Sequence, residues 1–326
     1  MLDDHSVAAQ VEALAQATEI TVFDSNAYRA LVRNNLAAVD LRVASLVAAE
    51  RAAHIRAMVS PFVIVELASH LADPADEHYT ECAAAIHALY LHCRVGVEGR
   101  ERLATLGDPE ALLCYALYQR LPDLQLPSLE FFIELTRAVY SDPSPVGLAS
   151  VRDHLVRCKA VADNFEENYV ALMNSLFDGV DLEDHVQKKA MRLALESTEG
   201  LTIGATYAVL RAQSLLGLRD KDEEMAERVL AVRDQFRAAT WLYVYKLHLM
   251  LDPSFDIGAP RHRNSVWDID LSYLIGQSVS SRPVLLVTND REIRNAASAA
   301  ELASAVETPG SYFSRMGVSG RSLKSR

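Results

Sequence analysis

Four acidic residues stand where a folded chain can gather carboxylates: Asp24, Glu66, Asp268 and Asp290. Asp24 closes the apolar run Ile20 to Phe23 and is followed by Ser25 and Asn26. Asp290 comes after a second apolar run, Val284 to Val287, with Thr288 and Asn289 between. Glu66 lies in Pro61-Phe62-Val63-Ile64-Val65-Glu66-Leu67, and Asp268 in Asn264-Ser265-Val266-Trp267-Asp268-Ile269-Asp270-Leu271. Carboxylates brought together from separate elements hold hard divalent cations such as Mg²⁺ or Mn²⁺; Mg²⁺ uses only a few of them and keeps several waters. Ser25, Asn26, Thr288 and Asn289 are placed to orient those carboxylates or the waters. Each acid also has a structural role on offer. Asp24 suits the turn at a strand end, and Asp290 the first turn of a helix, with Asn289 and Glu292 as a capping box. Glu66 has apolar neighbours on both sides, so a half-buried carboxylate there needs a metal ion or an arginine near it, the other reading being plain surface exposure. Of the two acids in the third segment, Asp268 has the small Ser272 one turn on and Asp270 the bulky Leu274. Asp268 is the preferred ligand and Asp270 the auxiliary or alternative one.

Two strand-to-acid-to-helix segments must position this set. The pattern predicts strands over 20–24 and 283–288, a short strand at 57–59 and another near 305–307. Acids at the carboxyl ends of such strands face the crevice where open α/β sheets bind ligands. Helices are expected over 35–57, 265–276 and 290–303 from apolar spacings of three and four. Ser60-Pro61 gives an N-cap and a proline at the first helical position, opening the helix that carries Glu66. A short lead-in helix is expected over 3–18. Between residues 73 and 260 the pattern is helical almost throughout, in runs 77–93, 110–120, 129–140, 148–177, 184–197, 201–217 and 222–250, punctuated by proline and glycine. The expected organisation is a discontinuous α/β unit of residues 1–72 and 262–314 with a parallel sheet flanked by helices, a large all-helical insertion over 73–261, and a flexible basic tail over 315–326.

Half of the 326 residues are hydrophobic, enough for one large core or two ordinary ones. No run of eighteen apolar residues occurs and the first residues, Met1-Leu2-Asp3-Asp4-His5, are acidic, so a cytoplasmic protein with no membrane partner is expected. Cys82, Cys93, Cys114 and Cys158 form no close pair and read as buried free thiols. His87 and His92 are five apart, the wrong spacing for one helix face, and read as core or surface histidines. The net charge of −12 opposes unspecific coating of nucleic acid. From Ala259 onward, however, nine Lys and Arg outnumber six Asp and Glu. Arg261 and Arg263 precede the third acidic segment, and Arg291 and Arg294 follow the fourth, as candidate phosphate contacts.

These motifs carry a resemblance. Val22-Phe23-Asp24-Ser25-Asn26 resembles the opening strand of the PIN-domain nucleases, in which an Asp is followed by Ser or Thr and often Asn. Ser60 to Leu67 resembles their second motif, a helix whose Glu points into the site. Asn264 to Ile275, with Leu286-Val287-Thr288-Asn289-Asp290, resembles their third and fourth motifs, and Glu307-Thr308-Pro309 their last strand and turn. The match spans 18–72 and 262–314. The insertion departs from it, putting far more chain between the second and third acids than a compact PIN domain has, and one of the usual five strands has no counterpart in the sequence. The resemblance implies a PIN-like fold and metal-dependent cleavage of a phosphodiester, with Asp24, Glu66, Asp268 and Asp290 holding Mg²⁺ or Mn²⁺ and RNA preferred over DNA. The alternative is an inactive PIN-like scaffold acting through its helical insertion, which offers a surface to a protein partner or to a second copy. A haloacid-dehalogenase-type phosphatase also begins with a strand ending in Asp, but it needs a second Asp where this chain has Asn26.

Overall fold

The computed structural model describes residues 16–33, 38–96, 101–122, 129–177, 179, 181, 183–252, 254–257, 259 and 264–318. Its strands are β1 (Glu19–Phe23), β2 (Ile55–Met58), β3 (Arg94–Val95), β4 (Arg102–Leu103), β5 (Ser278–Val279), β6 (Arg282–Val287) and β7 (Val306–Glu307). β1 lies between β2 and β6 and runs parallel to both, with Val22 opposite Met58 and Phe23 opposite Val287. β6 also pairs parallel with β7 and antiparallel with β5. The protein is therefore mixed α/β, with a mostly parallel sheet flanked by helices. Strands from both ends of the chain share that sheet, as the two strand-to-acid segments require. Ile20, Val22, Phe23, Val284, Leu286 and Val287 are all buried, which explains why β1 and β6 read as unbroken apolar runs rather than alternating ones.

The hairpin of β5 and β6 was not foreseen. Its turn is Ser280-Ser281, and both residues take the left-handed conformation, with φ of 50° and 66°. Glycine or asparagine at those places would announce a two-residue hairpin; serine does not. The β3–β4 ribbon is likewise an exception to the all-helical reading of the insertion. Just beyond it the chain joins the edge of the sheet region: the Val59 amide donates to the Ala104 carbonyl at 2.9 Å, and the Leu106 amide to the Val59 carbonyl at 2.9 Å.

The other long elements described in the insertion are helices: Tyr79–Cys93, Pro109–Tyr118, Leu129–Ser141, Arg152–Asn174, His185–Glu196, Thr198–Leu216, Asp222–Gln235 and Arg237–Met250. The single helix expected over 222–250 is two, parted at Phe236 (φ −121°, ψ 45°) with neither proline nor glycine to mark the break. Gly200, expected to separate helices, lies inside Thr198–Leu216. Buried side chains of the sheet and of the insertion form one continuous apolar cluster. Within it Thr198–Leu216 and Arg237–Met250 approach closely at Gly204, where an added Cβ would stand 2.5 Å from the Thr240 carbonyl oxygen. Gly204→Ala is expected to lower stability by about 1–3 kcal/mol, because backbone must shift to relieve the overlap; urea unfolding of the two proteins measures it.

Almost all of the expected lead-in helix, Arg261, Arg263 and the tail beyond 318 lie outside the described residues. Arg315, expected to begin that tail, instead closes the helix Pro309–Arg315 and pairs with Glu307 at 2.9 Å and Glu19 at 3.5 Å. Among the described residues no helix is long and apolar enough to cross a membrane. All four cysteines are buried and free.

Candidate acidic site

The carboxyl ends of β1 and β6 lie side by side, and Asp24 and Thr288 are the residues immediately beyond them. Here the Asp24 amide donates to the Val287 carbonyl at 3.1 Å, continuing the ladder by one residue. Asp24 is 3% exposed, and both of its carboxylate oxygens are engaged. Oδ1 accepts from the Ala27 amide at 2.5 Å and Oδ2 from the Thr288 hydroxyl at 2.5 Å. Asp24 is thus the N-cap of the helix Ser25–Val32 as well as a member of the site. Asp290 repeats the arrangement. It caps Arg291–Ala299 by accepting from the Ile293 amide at 2.7 Å, while its own amide donates to the Thr288 hydroxyl at 2.8 Å. Thr288 therefore links the two strand-end acids, receiving from one and donating to the other.

Glu66 comes in from the helix Pro61–Ser69 and accepts from the Ser25 hydroxyl at 2.8 Å. Ser60 stands at the N-cap position of that helix, but its hydroxyl makes no capping bond; Pro61 at the first position sets the start. Arg29 favours the ionised Glu66 carboxylate only from a distance, its direct partner being Glu81 at 2.7 Å. Asp268 projects from the helix Asn264–Ser272 and meets Lys246 Nζ at 3.0 Å. Lys246, 1% exposed, belongs to Arg237–Met250 and is also ion-paired with Glu292.

Asp24, Glu66 and Asp268 are all held in the protonated form above the ordinary carboxylate range. Burial, with added repulsion from Asp268 and Asp290, pushes Asp24 up to about 7 against the pull of its hydrogen bonds. Burial pushes Glu66 up to about 8, again with repulsion from Asp24 and Asp268. Asp268 is raised to about 7 by burial, by Asp290 and by Glu292, despite Lys246. Burial works against the charge of Lys246, but Asp268 and Glu292 outweigh it and hold the ammonium above its ordinary range. Elements from both ends of the chain thus bring acids into one another's field, and one from the insertion sets the buried Lys246 ammonium against Asp268 and Glu292.

No family model, curated protein or solved structure matches this chain. What the site can do rests on its own geometry.

Asp24, Glu66, Asp268 and Asp290 are the acids that share a field; Asp270 is not grouped with them. It is buried on another side of its helix, where Asp108 and Glu110 are the main charges around it. Among the described residues, the only group of three whose ligand oxygens all lie within 4.8 Å of one another is Asp108, Glu110 and Asp270. No three of Asp24, Glu66, Asp268 and Asp290 meet that criterion. Ser25 and Thr288 orient carboxylates as expected, whereas Asn26 and Asn289 are exposed. Arg291 is exposed next to Asp290, and Arg294 donates through Nε to the Asp290 carbonyl at 3.2 Å. His92 is a core residue bonded to Glu50 at 2.9 Å, and His87 bonds Asp40 at 2.7 Å. Lys246 is the residue that sequence reasoning missed. The signal available was a lone cation, Tyr245-Lys246-Leu247, inside an otherwise apolar stripe, where an unpaired ammonium is expensive enough to imply a buried acid.

Proposed function

We propose that this chain is a metal-dependent nuclease of PIN-like type, hydrolysing phosphodiesters and preferring RNA. The observation that carries the reading is the meeting of Asp24, Glu66, Asp268 and Asp290 in one electrostatic field beyond the carboxyl ends of two adjacent parallel strands. The preference for RNA comes from the resemblance alone. The donor set is all carboxylate, which suits Mg²⁺ or Mn²⁺. Such an ion, when bound, would neutralise charge growing on the phosphate and lower the pKa of a water.

The chain's own part is to fix the donors. The Ala27 amide and Thr288 hydroxyl hold Asp24 rigid, Ser25 aims Glu66, and Lys246 pins Asp268. The raised proton affinities set a pH window. Protons must leave Asp24, Asp268 and Glu66 before they can serve as ligands, so metal affinity and cleavage rise with pH through about 7 to 8. Arg291, exposed beside Asp290, is available for a substrate phosphate.

Cleavage of labelled single-stranded RNA, structured RNA and DNA with Mg²⁺, Mn²⁺ or chelator tests the proposal. Expected is metal-dependent cleavage of RNA that increases from pH 6 to pH 8 and disappears in Asp268→Asn. Cleavage equal in chelator and in Mn²⁺, or none on any substrate, contradicts it. One observation favours a second reading: Lys246 already gives Asp268 and Glu292 a built-in counter-ion. On that view the acids are a structural network, and the chain is a PIN-like binding module working through its insertion.

A further inference from the structure

The helix Asn264–Ser272 carries acids on two sides. At 3.6 residues per turn, positions two apart are roughly 200° apart around the axis, so Asp268 and Asp270 face different surroundings. Asp270 joins Asp108 and Glu110, one ligand oxygen of each lying within 4.8 Å of the others. All three are buried: Asp270 is 0%, Glu110 1% and Asp108 7% exposed.

The hydrogen bonds of this group leave a remainder. Asp108 is the N-cap of Pro109–Tyr118, and its Oδ1 accepts from the amides of Glu110 at 2.7 Å and Ala111 at 3.2 Å. Both oxygens of Glu110 receive the fork of Arg211, from Nε at 2.5 Å and Nη2 at 3.0 Å. The guanidinium in turn lies over the Tyr169 ring, 4.4 Å from its centre. Asp108 Oδ2 and both oxygens of Asp270 have no hydrogen-bond partner. Buried carboxylate oxygens in that condition are costly. Three ionised carboxylates against one guanidinium also leave two negative charges in excess, and Arg211 is already committed to Glu110.

We propose that Asp108, Glu110 and Asp270 form a buried site for one divalent cation of the hard, oxygen-seeking class, Ca²⁺, Mg²⁺ or Mn²⁺, which fastens the insertion to the helix bearing Asp268. A single divalent ion balances the excess charge and gives the three orphaned oxygens a partner. Its ligands come from Pro109–Tyr118 and its cap on one side and from Asn264–Ser272 on the other, so binding is coupled to docking of the insertion. The rival is protonation, since burial and Glu110 push Asp108 up to about 7, and burial with Asp108 raises Asp270 well above the carboxylate range. The proposal uses residues separate from the Asp24 site and stands or falls independently of the nuclease reading.

The full-length chain is incubated warm with excess Mn²⁺, freed of unbound ion, and its manganese content measured. Asp24→Asn, with the first site disabled, is expected to keep one equivalent. Asp24→Asn/Asp270→Asn and Asp24→Asn/Asp108→Asn are expected to keep none; asparagine preserves side-chain volume in both, and the cap in the second. Crystals of Asp24→Asn grown with Mn²⁺ should show anomalous scattering among the three carboxylates. An Asp24→Asn chain with no bound manganese, a content unchanged by both double variants, or an anomalous peak elsewhere overturns the site. Failure of the nuclease reading looks different: wild type and Asp24→Asn would then hold the same number of ions.

Discussion

Lys246→Met is expected to destabilise the metal-free protein by about 3–5 kcal/mol at pH 8, the cost of removing one partner from a buried ion pair. The ammonium is 1% exposed and pairs with both Asp268 and Glu292, so methionine fills the volume but leaves two carboxylates without their counter-ion. The loss depends on pH. Asp268 has a folded-state pKa raised to about 7 even with Lys246 beside it, and without the lysine it binds its proton more tightly still. Near pH 5 that carboxylate is neutral in the variant and the penalty shrinks; it grows as pH rises above 7. If the acids hold a cation, Mn²⁺ restores part of the lost stability at pH 8, because a divalent ion supplies the missing positive charge. Urea unfolding at both pH values, with chelator and with Mn²⁺, measures all four quantities. Equal losses at pH 5 and pH 8 would mean that the lysine matters for packing rather than for charge.

The acids were legible because each ends or interrupts an apolar run in a place with its own signal. Asp24 and Asp290 follow strands whose burial on both faces makes them continuous apolar runs, and Glu66 follows Ser60-Pro61. The pairing of β1 with β6 was legible for the same reason, since two like strand-to-acid segments imply neighbouring strands. The choice between Asp268 and Asp270 needed the surroundings of both faces of one helix, and sequence supplies only the helix. Asp108 and Arg211 were not seen for a related reason. Asp108-Pro109 announces a helix start, but nothing local says that its carboxylate lies within ligand distance of Asp270 or that Arg211 reaches Glu110. The break at Phe236 left no mark because the non-helical backbone falls on an ordinary buried residue with no helix-breaking side chain, and the turn at Ser280-Ser281 because serine stands where glycine is the usual signal.

Asp24→Asn is expected to abolish metal-dependent cleavage while leaving the metal-free protein at least as stable as wild type. Asparagine still accepts from the Ala27 amide as an N-cap, and its amide group can donate to the Thr288 hydroxyl, so the local structure survives. What is lost is one of the mutually repelling charges. The sign with pH follows from linkage. The folded-state pKa of Asp24 is raised from 3.8 to about 7, so between these values the folded chain binds more protons than the unfolded one, and stability falls as pH rises across that window. Asparagine does not titrate, and the variant escapes that part of the fall. The two proteins should therefore be alike in acid, with the advantage of the variant opening toward pH 7 and persisting above it. A variant less stable than wild type at pH 8 in chelator would mean that the Asp24 charge contributes favourably to the fold.

Thermal melts at pH 8 in chelator and in Mn²⁺ test the central claim most directly, made in an Asp270→Asn background so that the buried triad adds nothing. With Asp24 intact, a hundredfold excess of Mn²⁺ over its dissociation constant is expected to stabilise the protein by about 2.7 kcal/mol, and the added Asp24→Asn change should erase that gain. A melting curve of the chain with Asp24 intact that is indifferent to Mn²⁺ across the millimolar range would contradict the account, leaving Asp24 as a helix cap and Lys246 as the only cation the acids were built to hold.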